Sequence, residues 1–254
     1  MFPKSSQYDT AWINEHSLGG NPLLGMESLT QIVPLTPEMR VLDLGCGKGL
    51  TSVFLHKEFG VQVWAVDIDA DLNKMFAFFR REKVDKHVFP LRADAKNLPL
   101  PQRYFDAIFS VNSFTYYGTD DRFLPYITRF LKPGGYLAVS DICVKDEIET
   151  VAQIPECLKE HYSIAWYSVH AASWWKVKWE KIPAIAIQKA EILPESSALK
   201  DAYMRYAEAK QVFDYFAQAI QQDTEGKIQF MRLIATKKRK KLLAPQNNVH
   251  SINK

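Results

Sequence analysis

The sequence predicts an α/β fold, a doubly wound and mostly parallel sheet with helices on both faces. Strand-like and helix-like segments alternate five times between residues 40 and 142. The fourth strand segment, YFDAIFSV at 104–111, is apolar along almost its whole length, as strands buried on both faces are. A glycine-rich turn follows the first strand segment, at the edge where open α/β sheets bind their ligands.

Local signals justify each element in chain order. Residues 1–38 are expected to form a helical lead-in, with a helix that begins near Pro22 and ends before Pro34 and Pro37. Apolar and alternating segments predict strands at 40–44, 61–67, 87–91, 104–111 and 136–142. Apolar periodicity predicts the helices between them at 50–59, 70–83 and 121–131. After residue 145 the sequence predicts helices at about 147–160, 170–180 and 196–222, and strands at 184–193 and 227–237.

The composition is that of a folded globular chain, because 47% of the 254 residues are apolar and 24% are charged. No run of about eighteen apolar residues is present, so no transmembrane helix is expected. The first residues, MFPKSSQYDTAW, lack the apolar core of a signal peptide. Three cysteines without a CxxC pair indicate neither a disulfide framework nor a zinc site. These features predict a cytoplasmic protein without a bound metal.

The net charge of +3 is concentrated at the end of the sequence, where residues 237–254 carry five Lys, one Arg and no acid. The rest of the chain therefore has a net charge of −3. An acidic body gives no electrostatic reason to expect nucleic-acid binding. The basic run at 237–241 could contact nucleic acid or a membrane surface, although a solvated tail is the simpler interpretation.

The most specific motif is VLDLGCGKG at 41–49, between the first strand and the next helix. Its glycines let the backbone turn tightly and approach a ligand without a clash from Cβ atoms. A dinucleotide-binding turn would have its third glycine at position 50, which is Leu50 here, and the P-loop pattern is absent. Asp43, just before the turn, offers a carboxylate to a cationic group and would repel a pyrophosphate.

Two further acids follow the next two strands. Asp67 ends the second strand, where a carboxylate can accept hydrogen bonds from both hydroxyls of a ribose. Asp94 follows the third strand in the sequence RADA, and it can accept a hydrogen bond from an exocyclic amine such as that of adenine. S-Adenosylmethionine has an ammonium group, a ribose and an adenine but no phosphate, so it is the ligand that this ordered set of acids predicts.

Over residues 38–142 the sequence resembles the class I S-adenosylmethionine-dependent methyltransferases, in VLDLGCGKG, VWAVDID, RADAKNLPLPQRYFDAIFSVNSFTYYG and FLKPGGYLAVSD. The resemblance implies a Rossmann-like, seven-stranded sheet with an antiparallel last hairpin. It implies S-adenosyl-L-methionine as cofactor and S-adenosyl-L-homocysteine as its product. It also implies that the first motif surrounds the methionyl part, that Asp67 holds the ribose and that Asp94 lies by the adenine. The expected cofactor-binding residues are Asp43, Gly45, Cys46, Gly47, Gly49, Asp67, Ile68, Asp94, Ala95 and Asn112, the last of which is often Asp in the most similar subgroup.

The acceptor pocket is expected beyond the fourth strand, under a helical cap at about 145–181 that contains four of the six tryptophans. The predicted pocket residues are Phe114, Tyr116, Tyr117, Trp174 and Trp175. An alternative for Trp175 and Trp179, one helical turn apart, is that they pack on the sheet. His170, preferred over His161, and Tyr117 are the candidate catalytic groups.

The predicted function is methyl transfer to a small-molecule acceptor by in-line displacement. The alternatives are a binding protein that has lost catalysis and an oxidoreductase with a nucleotide cofactor. The predicted organisation is the lead-in at 1–38, a methyltransferase domain at 39–241 and a flexible tail at 242–254. The identity of the acceptor, the atom that is methylated and the oligomeric state are left open by the sequence.

Overall fold

A seven-stranded sheet organises the chain in the computed structural model, which describes residues 2–239. The strand order is β3-β2-β1-β4-β5-β7-β6. The strands are β1 Arg40–Leu44, β2 Gln62–Asp67, β3 Val88–Arg92, β4 Phe105–Val111, β5 Leu131–Val144, β6 Ile185–Ile192 and β7 Ile228–Lys237. The first five strands are parallel, and β7 runs antiparallel between β5 and β6. The predicted fold class, including its antiparallel last hairpin, is confirmed.

The carboxyl ends of the parallel strands meet at one edge of the sheet. Asp43 of β1 pairs with Ala65 of β2 and Phe109 of β4, and Val111 of β4 pairs with Ser140 of β5. The strand order reverses between β1 and β4. Open α/β sheets bind their ligands at such a reversal, just outside the strand ends.

Helices cover both faces of the sheet. In the described residues the α-helices are α1 Thr10–His16, α2 Pro22–Thr30, α3 Leu50–Phe59, α4 Leu72–Arg81, α5 Phe123–Ile127, α6 Glu156–Lys159, α7 Ala172–Glu180, α8 Ser196–Lys210 and α9 Tyr215–Gln222. α2, α3 and α4 bury Leu29, Phe54 and Phe79 on one face, and α5 and α7 bury Ile127 and Trp175 on the other. Each fully buried side chain of this size contributes about 1.5–3 kcal/mol to folding.

Four predicted elements differ from the observed ones. The predicted helix at about 147–160 is only a 3-10 turn at Val151–Gln153 followed by the short α6. β5 begins at Leu131, so the predicted turn Pro133-Gly134-Gly135 lies inside a long strand with an irregular register opposite Phe105 and Ala107. The predicted helix at 121–131 is only α5 followed by a single 3-10 turn. The predicted helix at 196–222 is two helices, because Gln211 has a φ of 54° and Asp214 caps the start of α9.

The predicted cap at 145–181 does not cover the carboxyl edge of the sheet as expected. Its one long helix, α7, packs on β6 and the neighbouring face of the sheet. The segment before α7 packs against α8 and α9, with Leu158 and Trp166 fully buried. The carboxyl edge is covered instead by α1, by the loop that follows it, and by α8 and α9.

The predicted tail at 242–254 and the end of the basic run at 237–241 lie outside the described residues. Lys237 belongs to β7, and its Nζ donates a hydrogen bond to the carbonyl oxygen of Leu131 at 2.8 Å. Within residues 2–239, no helix has both the length and the hydropathy that crossing a bilayer requires.

Candidate active site

A cavity of about 690 Å³ opens at the carboxyl edge of the sheet. Its first wall is the glycine-rich turn together with the ends of β2 and β3. Its second wall is the strand-four loop and β5, and its third is the segment His16–Gly19 with parts of α8 and α9. The cavity therefore lies where the strand order reverses, within the size range of small-molecule sites.

The glycine-rich turn can adopt its path only with glycine at its key positions. Gly45 has a φ of 74°, and a Cβ atom there would lie 2.5 Å from the Cβ of Ser113. Gly49 has a φ of 89°, and its Cβ would lie 2.6 Å from the ring of Phe79. The positive φ angles and the close contacts with Ser113 and Phe79 therefore require glycine at both positions. Gly45, Cys46 and Gly47 line the cavity, whereas Gly49 starts α3 behind them.

Asp67 connects the turn to the end of β2. Its Oδ2 accepts a hydrogen bond from the backbone N–H of Gly47 at 2.8 Å, and its Oδ1 accepts one from that of Asp69 at 2.9 Å. An ionised carboxylate has about four acceptor positions, so about two remain for a ligand. The side chain lines the cavity, as a ribose-binding acid must.

Asp43 has a different role from the one predicted. It lies within β1, is 1% exposed and does not line the cavity. Its Oδ2 accepts hydrogen bonds from the hydroxyls of Thr51 and Ser52, at 2.7 and 2.6 Å. Burial raises the pKa of its carboxyl to about 6, although these two hydroxyls oppose the shift. Asp43 therefore ties β1 to α3 from behind the turn, and its expected contact with a cationic ligand group is corrected.

The remaining predicted cofactor residues do line the cavity. Ile68 is largely exposed at the rim, and Asp94 is exposed beside Ala95. The Oδ1 of Asp94 accepts a hydrogen bond from the N–H of Lys96, which fixes the loop after β3. Asn112 has a φ of 55° and donates its backbone N–H to the carbonyl oxygen of Ser140.

The strand-four loop contributes a buried hydrogen-bond cluster below the glycine-rich turn. The hydroxyl of Tyr117 lies 2.8 Å from that of Ser110 and 2.9 Å from that of Ser113, and it donates to the carbonyl oxygen of Leu44 at 3.2 Å. Burial is the main cause that raises the pKa of the Tyr117 hydroxyl. A hydroxyl that stays protonated cannot serve as a base, so Tyr117 positions the loop and the turn. Tyr116, by contrast, is 67% exposed at the cavity.

The structure does not bring the other predicted acceptor-side residues to the cavity. Phe114 and Trp175 are fully buried and contact each other edge to face. Trp174 stacks on His170, with ring centroids 3.7 Å apart. The Nδ1 of His170 lies 2.7 Å from the Oε1 of Glu147, and the Oε2 of Glu147 accepts the backbone N–H of Ala171.

None of these rings belongs to the cavity lining. The predicted acceptor pocket at Phe114, Trp174 and Trp175, with His170 as base, is therefore corrected. The physical reason is that the indoles of α7 pack on the sheet and not in the cavity. His170, just before α7, is held by its contact with Glu147. Packing on the sheet was the alternative that the helical spacing of the tryptophans left open.

Several residues of the cavity wall carry no signal in the sequence that marks them as ligand-binding. They are His16, Ser17, Leu18, Gly19, Asp141, Tyr203, Asp214, Phe216 and Phe230. The segment before α2 contains the pair Gly19-Gly20 ahead of a proline, which is a recognisable loop signal. Asp214 is an N-cap, because its Oδ1 accepts the backbone N–H groups of Phe216 and Ala217. An Asp at that position signals a helix start inside the long predicted helix.

Asp141 is the most deeply buried acid of the cavity wall, at 2% exposure. Its two carboxylate oxygens accept backbone N–H groups of Thr115 at 3.1 Å and Ile142 at 2.9 Å. Burial raises the pKa of its carboxyl to about 7, against the opposing effect of these amides. In residues 2–239 no three His, Cys, Asp or Glu side chains are grouped as a metal site would require.

Comparison with known proteins agrees with this geometry. A sequence family described as a methyltransferase domain matches residues 41–135. The methyltransferase GfsG of Streptomyces halstedii is 30% identical over 127 residues, which cover 50% of this chain and 46% of that protein. A fatty-acid O-methyltransferase of Mycolicibacterium smegmatis is 35% identical over 104 residues, which cover 40% of this chain and 36% of that protein. The chain thus spans less than half the length of these relatives, and the resemblance seen in the sequence is confirmed.

The whole fold also has a counterpart among solved structures. A phosphoethanolamine N-methyltransferase 2 of Haemonchus contortus, in complex with S-adenosyl-L-methionine, matches with a TM-score of 0.73. The match covers 94% of this chain and 59% of that one, at 20% sequence identity. At this identity the likeness concerns the fold alone.

Proposed function

We propose that this chain, whose residues 41–135 match the methyltransferase-domain family, is an S-adenosylmethionine-dependent methyltransferase that acts on a small molecule. The observation that carries the proposal is the joint position of the glycine-rich turn and Asp67 on one wall of the cavity. The turn leaves room for a ligand against its backbone, and Asp67 keeps acceptor positions free for hydroxyl groups. S-Adenosylmethionine would supply an activated methyl group.

The residues present fit the parts of such a cofactor. Gly45, Cys46 and Gly47 line the cavity, and the two glycines leave room beside the backbone for a methionyl chain. Asp67 suits the ribose, and Asp94 with Ala95 suits the adenine, since the acid is at the exposed end of the same wall. S-Adenosylmethionine has no phosphate group, and this suits the wall because Asp67, Asp69 and Asp94 would all repel a phosphate.

Catalysis of methyl transfer would consist mainly of alignment and exclusion of water. An in-line displacement needs the acceptor atom, the methyl carbon and the sulfur in one line, which a closed and preorganised cavity favours. The segment His16–Gly19 supplies part of that closure, because the Nζ of Lys48 donates hydrogen bonds to the carbonyl oxygens of Glu15 and Ser17. This contact holds the amino-terminal segment over the glycine-rich turn.

Calorimetry on the full chain tests the proposal. We expect S-adenosylhomocysteine to bind and NAD not to bind. Asp67→Ala should weaken the binding of S-adenosylhomocysteine by about 1.5–3 kcal/mol, the scale of hydrogen bonds to a charged group. The matched control is Asp201→Ala on the exposed side of α8, which should bind normally.

Two outcomes separate the alternatives. Binding of NAD without any response to S-adenosylhomocysteine would support the oxidoreductase instead. Binding of S-adenosylhomocysteine without transfer of a labelled methyl group to any amine, alcohol or acid would support a binding protein without catalysis. The net charge of −3 outside the basic end disfavours nucleic acid as the acceptor.

A further inference from the structure

The part of the cavity wall that lies beyond both the glycine-rich turn and the segment His16–Gly19 is acidic, and its described residues include no cationic side chain. This acceptor wall is formed by the strand-four loop, β5, α8, α9 and β7, and its lining residues with rings or charges are Tyr116, Tyr117, Asp141, Tyr203, Asp214, Phe216 and Phe230. None of its described lining residues is Lys, Arg or His. A phosphate or carboxylate bound here would be desolvated beside like charges and without a partner, at a cost of several kcal/mol.

Of the two acids in the acceptor wall, Asp214 already has its hydrogen bonds. One oxygen caps α9, and the other accepts the hydroxyl of Tyr203 at 2.8 Å. Asp214 therefore fixes Tyr203, whose ring in turn contacts Gly19 and Gly20. Its carboxylate is occupied in holding the third wall of the cavity together.

Asp141 differs from Asp214 in its depth, because it is 2% exposed whereas Asp214 is half-buried, and neither acid has a cationic partner among the described residues. The described partners of Asp141 are neutral backbone amides, those of Ser113, Phe114, Thr115 and Ile142, and no described ion pair includes its carboxylate. A buried carboxylate in this state is costly unless a positive group approaches it. The exposed ring of Tyr116 and the rings of Tyr203 and Phe216 surround the same space, and aromatic faces attract cations.

We propose that the acceptor is a primary or secondary amine without a phosphate or carboxylate group, and that Asp141 binds its ammonium group and removes the proton. This inference rests on the proposed methyl transfer. In the step, an N–H bond breaks and the proton passes to the carboxylate of Asp141. The nitrogen lone pair then forms the bond to the methyl carbon, while the carbon–sulfur bond breaks and its electron pair stays on sulfur. The products are a methylated ammonium and a neutral thioether.

Burial supports this role, since it raises the pKa of the Asp141 carboxyl to about 7, near the working range of a proton acceptor. The other titratable groups that face the same cavity are His16, Cys46, Lys48, Asp67, Asp69, Asp94, Lys96, Tyr116, Tyr117, Tyr203 and Asp214. Both lysines belong to the wall with the glycine-rich turn and the end of β3, away from β5.

Binding to the full chain saturated with S-adenosylhomocysteine tests the proposal. The probes are 2-phenylethylamine and n-hexylamine, each compared with the matching alcohol and carboxylate, together with phosphoethanolamine. We expect at least one amine to bind at least about tenfold more tightly than its alcohol and its carboxylate, and more tightly than phosphoethanolamine. With Asp141→Asn this preference should disappear, whereas the matched control Asp201→Asn should keep it.

Four results would overturn the inference, and they are distinguishable from failure of the proposed function. The first is that no amine binds better than its neutral or anionic counterpart. The second is that phosphoethanolamine is preferred, and the third is that Asp141→Asn keeps the preference. The fourth is that Asp141→Asn weakens S-adenosylmethionine but not S-adenosylhomocysteine, which would assign the carboxylate to the sulfonium. If S-adenosylhomocysteine does not bind the native chain, that result contradicts the proposed function itself, and the inference about the acceptor falls with it.

Discussion

Replacing Gly45 by alanine should disrupt the turn that forms one wall of the cavity. Two costs add at this position. An L-residue at a φ of 74° is strained by about 1–2 kcal/mol. The new Cβ would also lie 2.5 Å from the Cβ of Ser113, and overpacking of this kind costs about 1–3 kcal/mol more. The total expected loss of unfolding free energy is about 2–5 kcal/mol.

A second glycine isolates the steric part of this cost. Gly226 has a φ of 67°, but a Cβ there would meet only the side chain of Gln229, at 3.7 Å. Gly226→Ala should therefore lose only the conformational part, about 1–2 kcal/mol. Urea unfolding of both variants measures the difference, which we expect to be about 1–3 kcal/mol.

The affinity for S-adenosylhomocysteine should fall with Gly45→Ala and stay unchanged with Gly226→Ala, since only Gly45 lines the cavity. Adding Ser113→Gly to Gly45→Ala removes the atoms that the new Cβ meets, so the extra loss of stability should shrink. Equal destabilisation by Gly45→Ala and Gly226→Ala would refute the reasoning, because the contact with Ser113 would then have no energetic effect.

Three further predictions concern Asp141, Tyr117 and Trp174. Because burial raises the folded pKa of the Asp141 carboxyl to about 7, this group stabilises the native chain fully below its unfolded pKa, and that stabilisation is lost as the pH rises through 7. The melting temperature of Asp141→Asn relative to the native chain should therefore increase from pH 5 to pH 8, and a constant difference would contradict this. Tyr117→Phe should cost about 1–2 kcal/mol of stability in urea unfolding without shifting the pH profile of methyl transfer, whereas a shifted profile would restore a proton-transfer role. Trp174→Ala should lower the melting temperature, because it removes the stacking on His170, and calorimetry should show unchanged cofactor affinity; reduced affinity would place the indole at the cavity.

The features that the sequence predicts well are those with short-range causes. The apolar run of β4 requires burial on both faces, and the glycines of the turn require positive φ angles that their spacing already signals. Asp67 was predicted from its place at the end of a strand, and parallel strands bring their ends to one edge. These arguments need only the order of residues along the chain.

The features that the sequence misses depend on which surfaces meet in three dimensions. In the sequence Asp43 has the position of a ligand-binding acid, but in the fold its carboxylate accepts hydrogen bonds from the hydroxyls of Thr51 and Ser52 in α3. The indole of Trp175 suits both a pocket and a sheet face, and only the packing of α7 decides between them. The third wall of the cavity is assembled from segments far apart in the chain, such as those of Gly19 and Tyr203, which no local pattern connects.

A crystal structure of the full chain with S-adenosylhomocysteine is the most direct test of the central claim. We predict that the ligand occupies the cavity, with its ribose hydroxyls within hydrogen-bond distance of the carboxylate of Asp67. Its homocysteine part should lie against the backbone of Gly45 and Gly47, and its sulfur should face the side of the cavity that holds Asp141. A ligand bound elsewhere, or one whose ribose does not contact Asp67, would contradict the assignment of this cavity.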